Sequence, residues 1–162
     1  MKKEKVMLVY LSDLAHDYFK VNQYTPTGVG YLAAYAQSKL KKQVEFRIFK
    51  SVTKLLNAYD RKKPDLIGFS NYTWNNALSK FAGQWIKQRD PLLPIIMGGP
   101  NIRTYRKGIE EFLRVNEYVD TYCMFAGEIS FYEILKFLLD QSKDKRTSKI
   151  LRGHTVNGCY SI

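Results

Sequence analysis

Cysteine and histidine are the scarcest reactive residues in this 162-residue chain: two of each, Cys123, Cys159, His16 and His154. Two cysteines cannot build a disulfide framework, so the chain must close on a hydrophobic core, and a reducing cytoplasm fits. Metal and acid–base constellations are poor, and no Ser/His/Asp or Cys/His nucleophile can be argued from spacing. No catalytic and no metal-ligating residue is therefore assigned. His16 reads as an exposed loop histidine, and Cys123 as a small core residue inside a strand. Long hydrophobic runs are also absent. The start, Met1 to Lys5, is basic and Val6 to Leu11 is apolar, as in a signal peptide, but the run is too short and Asp13 stops it. No stretch is long enough to span a membrane, so no membrane partner is expected. Acid is in short supply: 15 Asp and Glu against 26 Lys and Arg leave a net charge of +11. Such a surface can serve a nucleic acid or another anion. The basic residues are scattered, however, and the tightest cluster, Lys143 to Arg146, follows a helix. They read as solvated faces, and nucleic acid is not expected as a partner.

What the chain does have is alternation. Apolar runs at Lys5–Leu11, Val44–Phe49, Leu66–Ser70, Pro94–Met97 and Val119–Phe125 have the length of buried strands. Between them, apolar residues fall at helical spacing. Val29, Leu32, Ala33, Ala36 and Leu40 mark one stripe. Val52, Leu55, Leu56 and Tyr59 mark another, which Ser51 can cap. Ala77, Leu78, Phe81, Ala82, Trp85 and Ile86 mark a third, ended by Asp90-Pro91. Ile109, Phe112 and Leu113 mark a short helix, and Phe131, Ile134, Leu135 and Leu138 the last long one. Short apolar strands joined by helices predict a parallel sheet covered on both faces. Right-handed crossovers leave the flavodoxin-like order as the commonest choice for five strands. The predicted fold is thus a flavodoxin-like (Rossmann-like) three-layer α/β domain over residues 1–140 with a five-stranded, mainly parallel sheet. From about Gln141 the periodicity is lost, so 141–162 reads as a tail or linker, with a short strand possible near Leu151 or Val156.

An open α/β sheet of this kind binds ligands at the carboxyl ends of its strands. Four segments fall there. Thr25-Pro26-Thr27-Gly28-Val29-Gly30 precedes the first helix, and Gly28, Gly30 and Ala33 match the dinucleotide spacing G-x-G-x-x-A. That pattern requires its first glycine directly after a strand, and here a long loop intervenes; no acid ends the second strand to hold a ribose. Nicotinamide binding is not expected. Ser70-Asn71-Tyr72-Thr73-Trp74-Asn75 ends the third strand. Ser70 stands where a phospho-accepting aspartate would be needed, which excludes a response regulator. Gly98-Gly99-Pro100-Asn101 ends the fourth strand, where two glycines make a tight turn or admit a bulky ligand. Ala126-Gly127-Glu128 ends the fifth. Each signal is weak separately, and helix capping or a turn explains each one. Their coincidence on one edge raises them.

Together these segments resemble the motifs of cobalamin-binding radical S-adenosylmethionine enzymes. The run Tyr24 to Tyr35 resembles the first motif of that family, and Pro64 to Asn75 the second. Pro94 to Pro100 resembles the third, and Ala126-Gly127-Glu128 a shortened fourth. The set covers about Lys5 to Leu139 and is specific as a set, although no single motif is. The family's last motif continues Gly-Glu-Gly-Glu, whereas Ile129-Ser130 follow here. Ser70 and Gly98-Gly99 also resemble the serine and paired glycines of the cobalamin module of methionine synthase. That module carries Asp-x-His-x-x-Gly, whose histidine ligates cobalt; Asp13-Leu14-Ala15-His16 has a different spacing, so His16 is not expected to bind cobalt.

The resemblance implies cobalamin held on the carboxyl edge. The implied cofactor-binding residues are Thr25, Pro26, Thr27 and Gly28, then Ser70, Asn71, Tyr72, Trp74 and Asn75. Gly98, Gly99, Pro100 and Asn101, and finally Gly127 and Glu128, complete them. Ser70 would hydrogen-bond the nucleotide tail, the paired glycines would leave it room, and Tyr72 and Trp74 would wall the corrin. A side chain at Gly98 or Gly99 would then fill the tail's space. The family's radical half needs Cys-x-x-x-Cys-x-x-Cys for a four-iron cluster. Two isolated cysteines cannot supply it. The iron–sulfur cluster and S-adenosylmethionine are therefore expected only in a missing radical domain, in the same or a neighbouring chain, of an enzyme of methyltransferase type. The alternative is a flavodoxin-like regulatory or interaction domain without a cofactor.

Overall fold

The computed structural model describes residues 6–16 and 25–162. Lys5, expected to open the first strand, and Tyr24, part of the first motif, lie outside them. The first strand, β1 (Met7–Ser12), is buried along its whole length. It pairs in parallel with β2 (Val44–Phe49) on one side and β3 (Leu66–Ser70) on the other. Next come β4 (Ile95–Gly98) and β5 (Thr121–Cys123), both parallel. The helices between them are α1 (Thr27–Leu40), α2 (Val52–Arg61), α3 (Asn76–Arg89), α4 (Arg106–Val115) and α5 (Glu128–Leu139). The sheet order is β2-β1-β3-β4-β5-β6, the flavodoxin-like order with one strand added.

Strand alternation divides the core in two. Leu8, Tyr10, Ile67, Phe69, Ile95 and Met97 face the layer holding α2, α3 and α4. Met7, Val9, Leu11, Leu66, Ile96 and Cys123 face the layer of α1 and α5. Both faces of the sheet are therefore covered, as continuous apolar strands require. Local signals place the boundaries where the sequence puts them: the Ser51 hydroxyl accepts from the Lys54 N–H at the start of α2, and Asp90 ends α3 before Pro91.

The sheet has six strands rather than five. The added strand, β6 (Cys159–Tyr160), runs antiparallel to β5. It lies beyond Leu151 and Val156, near which the sequence places a short strand; Leu151 belongs instead to α6 (Ser148–Arg152). The segment read as a polar tail thus packs back on the domain, with Leu151 and Val156 buried. Its polar residues are the fasteners. Arg146 lies 3.6 Å from Asp65, both side chains 7% exposed, and its Nε donates to the Leu138 carbonyl. Arg152 Nε donates to Asp120 Oδ1 at 2.8 Å. A five-residue helix and a two-residue strand are too short to show a period, so only their pairing reveals them. Arg146, expected in a solvated cluster, is buried by its partner.

Aspartates at the amino edge tie the strands together. Asp65 accepts from the Leu8 N–H at 2.8 Å, and Asp120 from the Ile95 N–H at 2.7 Å. Asp120 also receives Lys87 Nζ at 2.7 Å and the Ser148 hydroxyl at 2.9 Å. No helix among the described residues is long and apolar enough to cross a membrane.

Candidate functional site

At the opposite, carboxyl edge the sheet opens into a cleft that encloses about 170 Å³. Its floor is the α1/α5 face of the strand ends: Leu11, Gly68, Ile96, Gly98 and Cys123. One side is the start of α1, through Gly28, Val29 and Leu32; the other is the start of α5, through Gly127, Glu128 and Phe131. Tyr72 and Phe125, from the loops after β3 and β5, stand at the rim. The lining is mostly apolar, with few polar groups. Such a lining suits an organic ligand with apolar surface.

Glycines keep this cleft open. A Cβ on Gly68 would sit 2.7 Å from Leu11 Cδ2, so a side chain there would crowd the floor. At Gly28 a Cβ would meet only the Tyr72 hydroxyl at 3.6 Å, and at Gly127 only Leu32 and Cys123 at 3.6 and 3.8 Å. Side chains could be added at those two positions without strain, and they would occupy the cleft. Gly99 differs. Its φ is +130°, and a Cβ would fall 2.5 Å from the Asn71 carbonyl oxygen. It makes the tight turn, against Asn71 rather than into the cleft. A side chain at Gly99 would therefore disturb the fold as well as any ligand, and the expectation that it would simply fill the tail's space is corrected.

Of the residues expected to touch a ligand, Gly28, Ser70, Tyr72, Gly98, Gly99, Gly127 and Glu128 do line the cleft. Trp74 stacks on Tyr72, rings 4.4 Å apart and 6° from parallel, while remaining 61% exposed. It extends the aromatic wall outward instead of packing on the core. Thr25 and Thr27 are exposed at the start of α1, where Pro26 sends its carbonyl to the Gly30 N–H, and none of the three lines the cleft. Gly30 has nothing within 4 Å of a Cβ, so the dinucleotide spacing corresponds to no close backbone approach.

Asn71, Asn75, Pro100 and Asn101 stand behind the lining. Asn71, fully buried, donates to the Asn101 carbonyl at 2.8 Å and to Tyr122 Oη at 3.1 Å, and accepts from Asn76 at 2.9 Å. Tyr122 in turn donates to the Gly99 carbonyl at 2.7 Å. Burial pushes the Tyr122 phenol up to about 12, against the hydrogen bond from Asn71, so it keeps the proton it donates. This network locks the two loops after β3 and β4 together. Pro100 is exposed beside it.

Ser70 belongs to a second buried network. Its hydroxyl donates to Asp13 Oδ1 at 2.7 Å and accepts from Asn75 Nδ2 at 2.8 Å; Asn75 also donates to Asp13 at 3.0 Å. With its proton committed to Asp13, Ser70 has only acceptor capacity left toward the cleft.

The aromatic that composition alone did not single out is Phe125. It is 87% exposed and sits at φ +56°, a backbone region costly for any side chain. A large ring held exposed on strained backbone at a cleft rim is a functional signature. Only tertiary placement reveals it, since the residue reads as the end of β5. Gly68 had a usable signal, a glycine interrupting an apolar strand. His16 is exposed and lines no part of the cleft. Among the described residues, no three or more His, Cys, Asp or Glu gather to hold a metal ion.

Fold and cleft together define a Rossmann-like α/β domain with an open cleft at the carboxyl edge of its sheet. Solved structures with this fold include the cobalamin-dependent S-adenosylmethionine radical enzyme OxsB with aqua-cobalamin and S-adenosylmethionine bound. The likeness has a TM-score of 0.64 at 17% identity and covers 86% of this chain and 20% of that one. A cobalamin-binding protein from Desulfitobacterium hafniense DCB-2 superposes with a TM-score of 0.61 at 15% identity, covering 83% and 59%. In sequence, the chain is 30% identical over 82 residues to the cobalamin-dependent radical SAM methyltransferase TokK of Streptomyces tokunonensis. That match covers 51% of this chain and 12% of the relative's length. No protein-family model matches. The family resemblance is thus met again in a sequence relative over 82 residues, and the fold in solved structures.

Proposed function

We propose that this chain is a cobalamin-binding domain that presents the corrin to a radical S-adenosylmethionine domain in the same or a neighbouring chain. The observation that carries this reading is the cleft wall. Gly28, Gly68, Gly98 and Gly127 come from four different elements, and none puts a side chain into the space they enclose. Around them stand Tyr72, stacked on Trp74, and the exposed ring of Phe125. An elongated ligand with a broad, flat, apolar body suits such a space. Those aromatics would wall the ring system, and the bare backbone at Gly98 would let a tail pass between strand ends. When bound, cobalamin would supply methyl-carrying cobalt chemistry, as expected for a partner of methyltransferase type. The chain's own residues would bind and orient the cofactor and keep water from its buried side. Residues 1–140 would form the binding domain, and 141–162, which returns along the amino edge and pairs with β5, would lead toward the radical domain.

Mixing the purified chain with hydroxocobalamin should give a coloured complex that co-elutes with protein at one equivalent, with a shifted visible spectrum. Lys63→Ala, an exposed change at the opposite edge where Lys63 pairs with Asp90 at 3.5 Å, should bind like the parent. Protein that elutes colourless would sink the proposal and favour a regulatory or interaction domain without a cofactor.

Phe125→Gly separates strain from function. Removing the side chain at φ +56° relieves about 1–2 kcal/mol, while glycine costs about 0.5–1 kcal/mol through the unfolded chain. The ring is exposed, so little burial is lost. Stability should rise by about 0.5–1 kcal/mol, read by chemical denaturation. Hydroxocobalamin binding should weaken roughly tenfold, about the worth of one aromatic contact. A variant that is less stable but binds unchanged would show that the ring serves the fold instead.

A further inference from the structure

The two cysteines of this chain lie directly opposite each other on neighbouring strands. Cys123 of β5 is the antiparallel partner of Cys159 of β6, and their sulfurs are 3.3 Å apart, Cys159 donating to Cys123. One residue further on, the Met124 N–H donates to the Gly158 carbonyl at 2.8 Å. That bond marks Met124 and Gly158 as a hydrogen-bonded pair, so Cys123 and Cys159 form the adjacent non-hydrogen-bonded pair. Such pairs hold their Cα atoms about 4.5 Å apart, with the side chains at their closest. This separation lies within the range a disulfide spans, and closing the bond needs the sulfurs to approach by about 1.2 Å.

The two thiols are also unlike. Cys159 is half-buried, and its hydrogen bonds with Cys123 and Ser130 hold its thiol below the usual range, against the effect of burial. Cys123 is buried, and the same hydrogen bond and its burial push its thiol up. The partly exposed sulfur is thus the better nucleophile and the buried one is placed to resolve.

We propose that Cys123 and Cys159 are a thiol–disulfide couple that, when oxidised by a small-molecule disulfide, staples β6 to β5 at the wall of the cleft. The Cys159 thiolate attacks one sulfur of the small disulfide, forming a mixed disulfide and releasing one thiolate, which takes up a proton. Cys123 then loses its proton and attacks the Cys159 sulfur, and the second small thiol leaves with that proton. The two protein thiols lose two electrons and two protons, and one small disulfide becomes two thiols. In a reducing compartment such a pair is reversible. Because Cys123 lines the cleft, the two states present different walls there. The couple itself does not depend on what the cleft binds.

The test equilibrates the whole reduced chain in buffers of stepped reduced-to-oxidised glutathione ratio, followed by acid quench, maleimide counting of free thiols and non-reducing peptide mapping. Both thiols should disappear together in one transition. The mapped product should be an intramolecular Cys123–Cys159 bridge lacking two hydrogens, and the oxidised chain should melt at a higher temperature. In the reduced native chain, maleimide should label Cys159 before Cys123. Cys123→Ser should stop at a glutathione adduct on Cys159. Thiols that stay free throughout, a lasting mixed disulfide in the parent, or a bridge between two chains would each overturn the proposal. Circular dichroism of Cys123→Ser ensures that a lost bridge reflects the missing sulfur and not an unfolded chain.

Discussion

Replacing Gly28 with leucine should abolish hydroxocobalamin binding while leaving the fold at least as stable as before. The position lies in the first turn of α1 at the side of the cleft. A Cβ there meets only the Tyr72 hydroxyl, at ordinary contact distance, so no backbone has to move. Leucine is also a better helix former than glycine, by up to about 0.8 kcal/mol in a helix interior and less at an end. The branched side chain would occupy the space next to Tyr72. We expect affinity to fall by roughly 100-fold or more, that is about 2.7 kcal/mol, in a spectral titration run beside a thermal melt. Gly99→Leu would not serve as well, because its side chain would strike Asn71 and confuse lost binding with lost folding. A folded Gly28→Leu chain that binds like the parent would place the ligand elsewhere.

Asp120→Ala should be the most damaging single change to stability at the amino edge, with a loss of about 3–5 kcal/mol. The carboxylate is fully buried and is shared by Lys87, Arg152, the Ser148 hydroxyl and the Ile95 N–H. Removing it leaves Lys87, only 14% exposed, as a buried cation without its counter-charge. Burial already holds the Lys87 ammonium below the usual lysine range, with Asp120 opposing that shift. A cation whose folded pKa is depressed costs stability while protonated, and that cost fades as pH rises toward the unfolded value. The penalty of Asp120→Ala should therefore be largest near neutrality and shrink in alkaline buffer. Urea melts at both pH values read it directly, and a loss under 1 kcal/mol at neutral pH would mean the network is dispensable. The proposed cofactor site lies at the other edge of the sheet, so any surviving folded fraction should still bind hydroxocobalamin.

These two positions show what could be read in the linear chain and what could not. Gly28 stands in a run whose resemblance to a cobalamin-binding motif was legible, because motifs join a small set of residue types to a strand end. Gly68 stood in plain view within the second motif, yet its part in the floor appears only when Leu11 and Ile96 are brought beside it. Gly98 and Gly99 look alike in sequence and both line the cleft, but only Gly99 makes a left-handed turn against Asn71. Ser70 was correctly placed at the strand end, while its commitment to Asp13 and Asn75 joins residues 57 and 5 positions away.

The sequence by itself determined the five parallel strands, the helices between them and the edge at which the cleft opens. Those features rest on local periodicity and on the handedness of crossovers, which act within a few tens of residues. Tertiary structure alone decided the sixth strand, the return of 141–162 onto the domain and the meeting of Cys123 with Cys159. It also decided that the exposed, strained ring is Phe125. The physical reason is common to all of them. Elements of two to five residues carry no period, and charged residues such as Arg146 and Arg152 look solvated until Asp65 and Asp120 are placed beside them. Burial by pairing depends on distance in space, and no spacing along the chain encodes it.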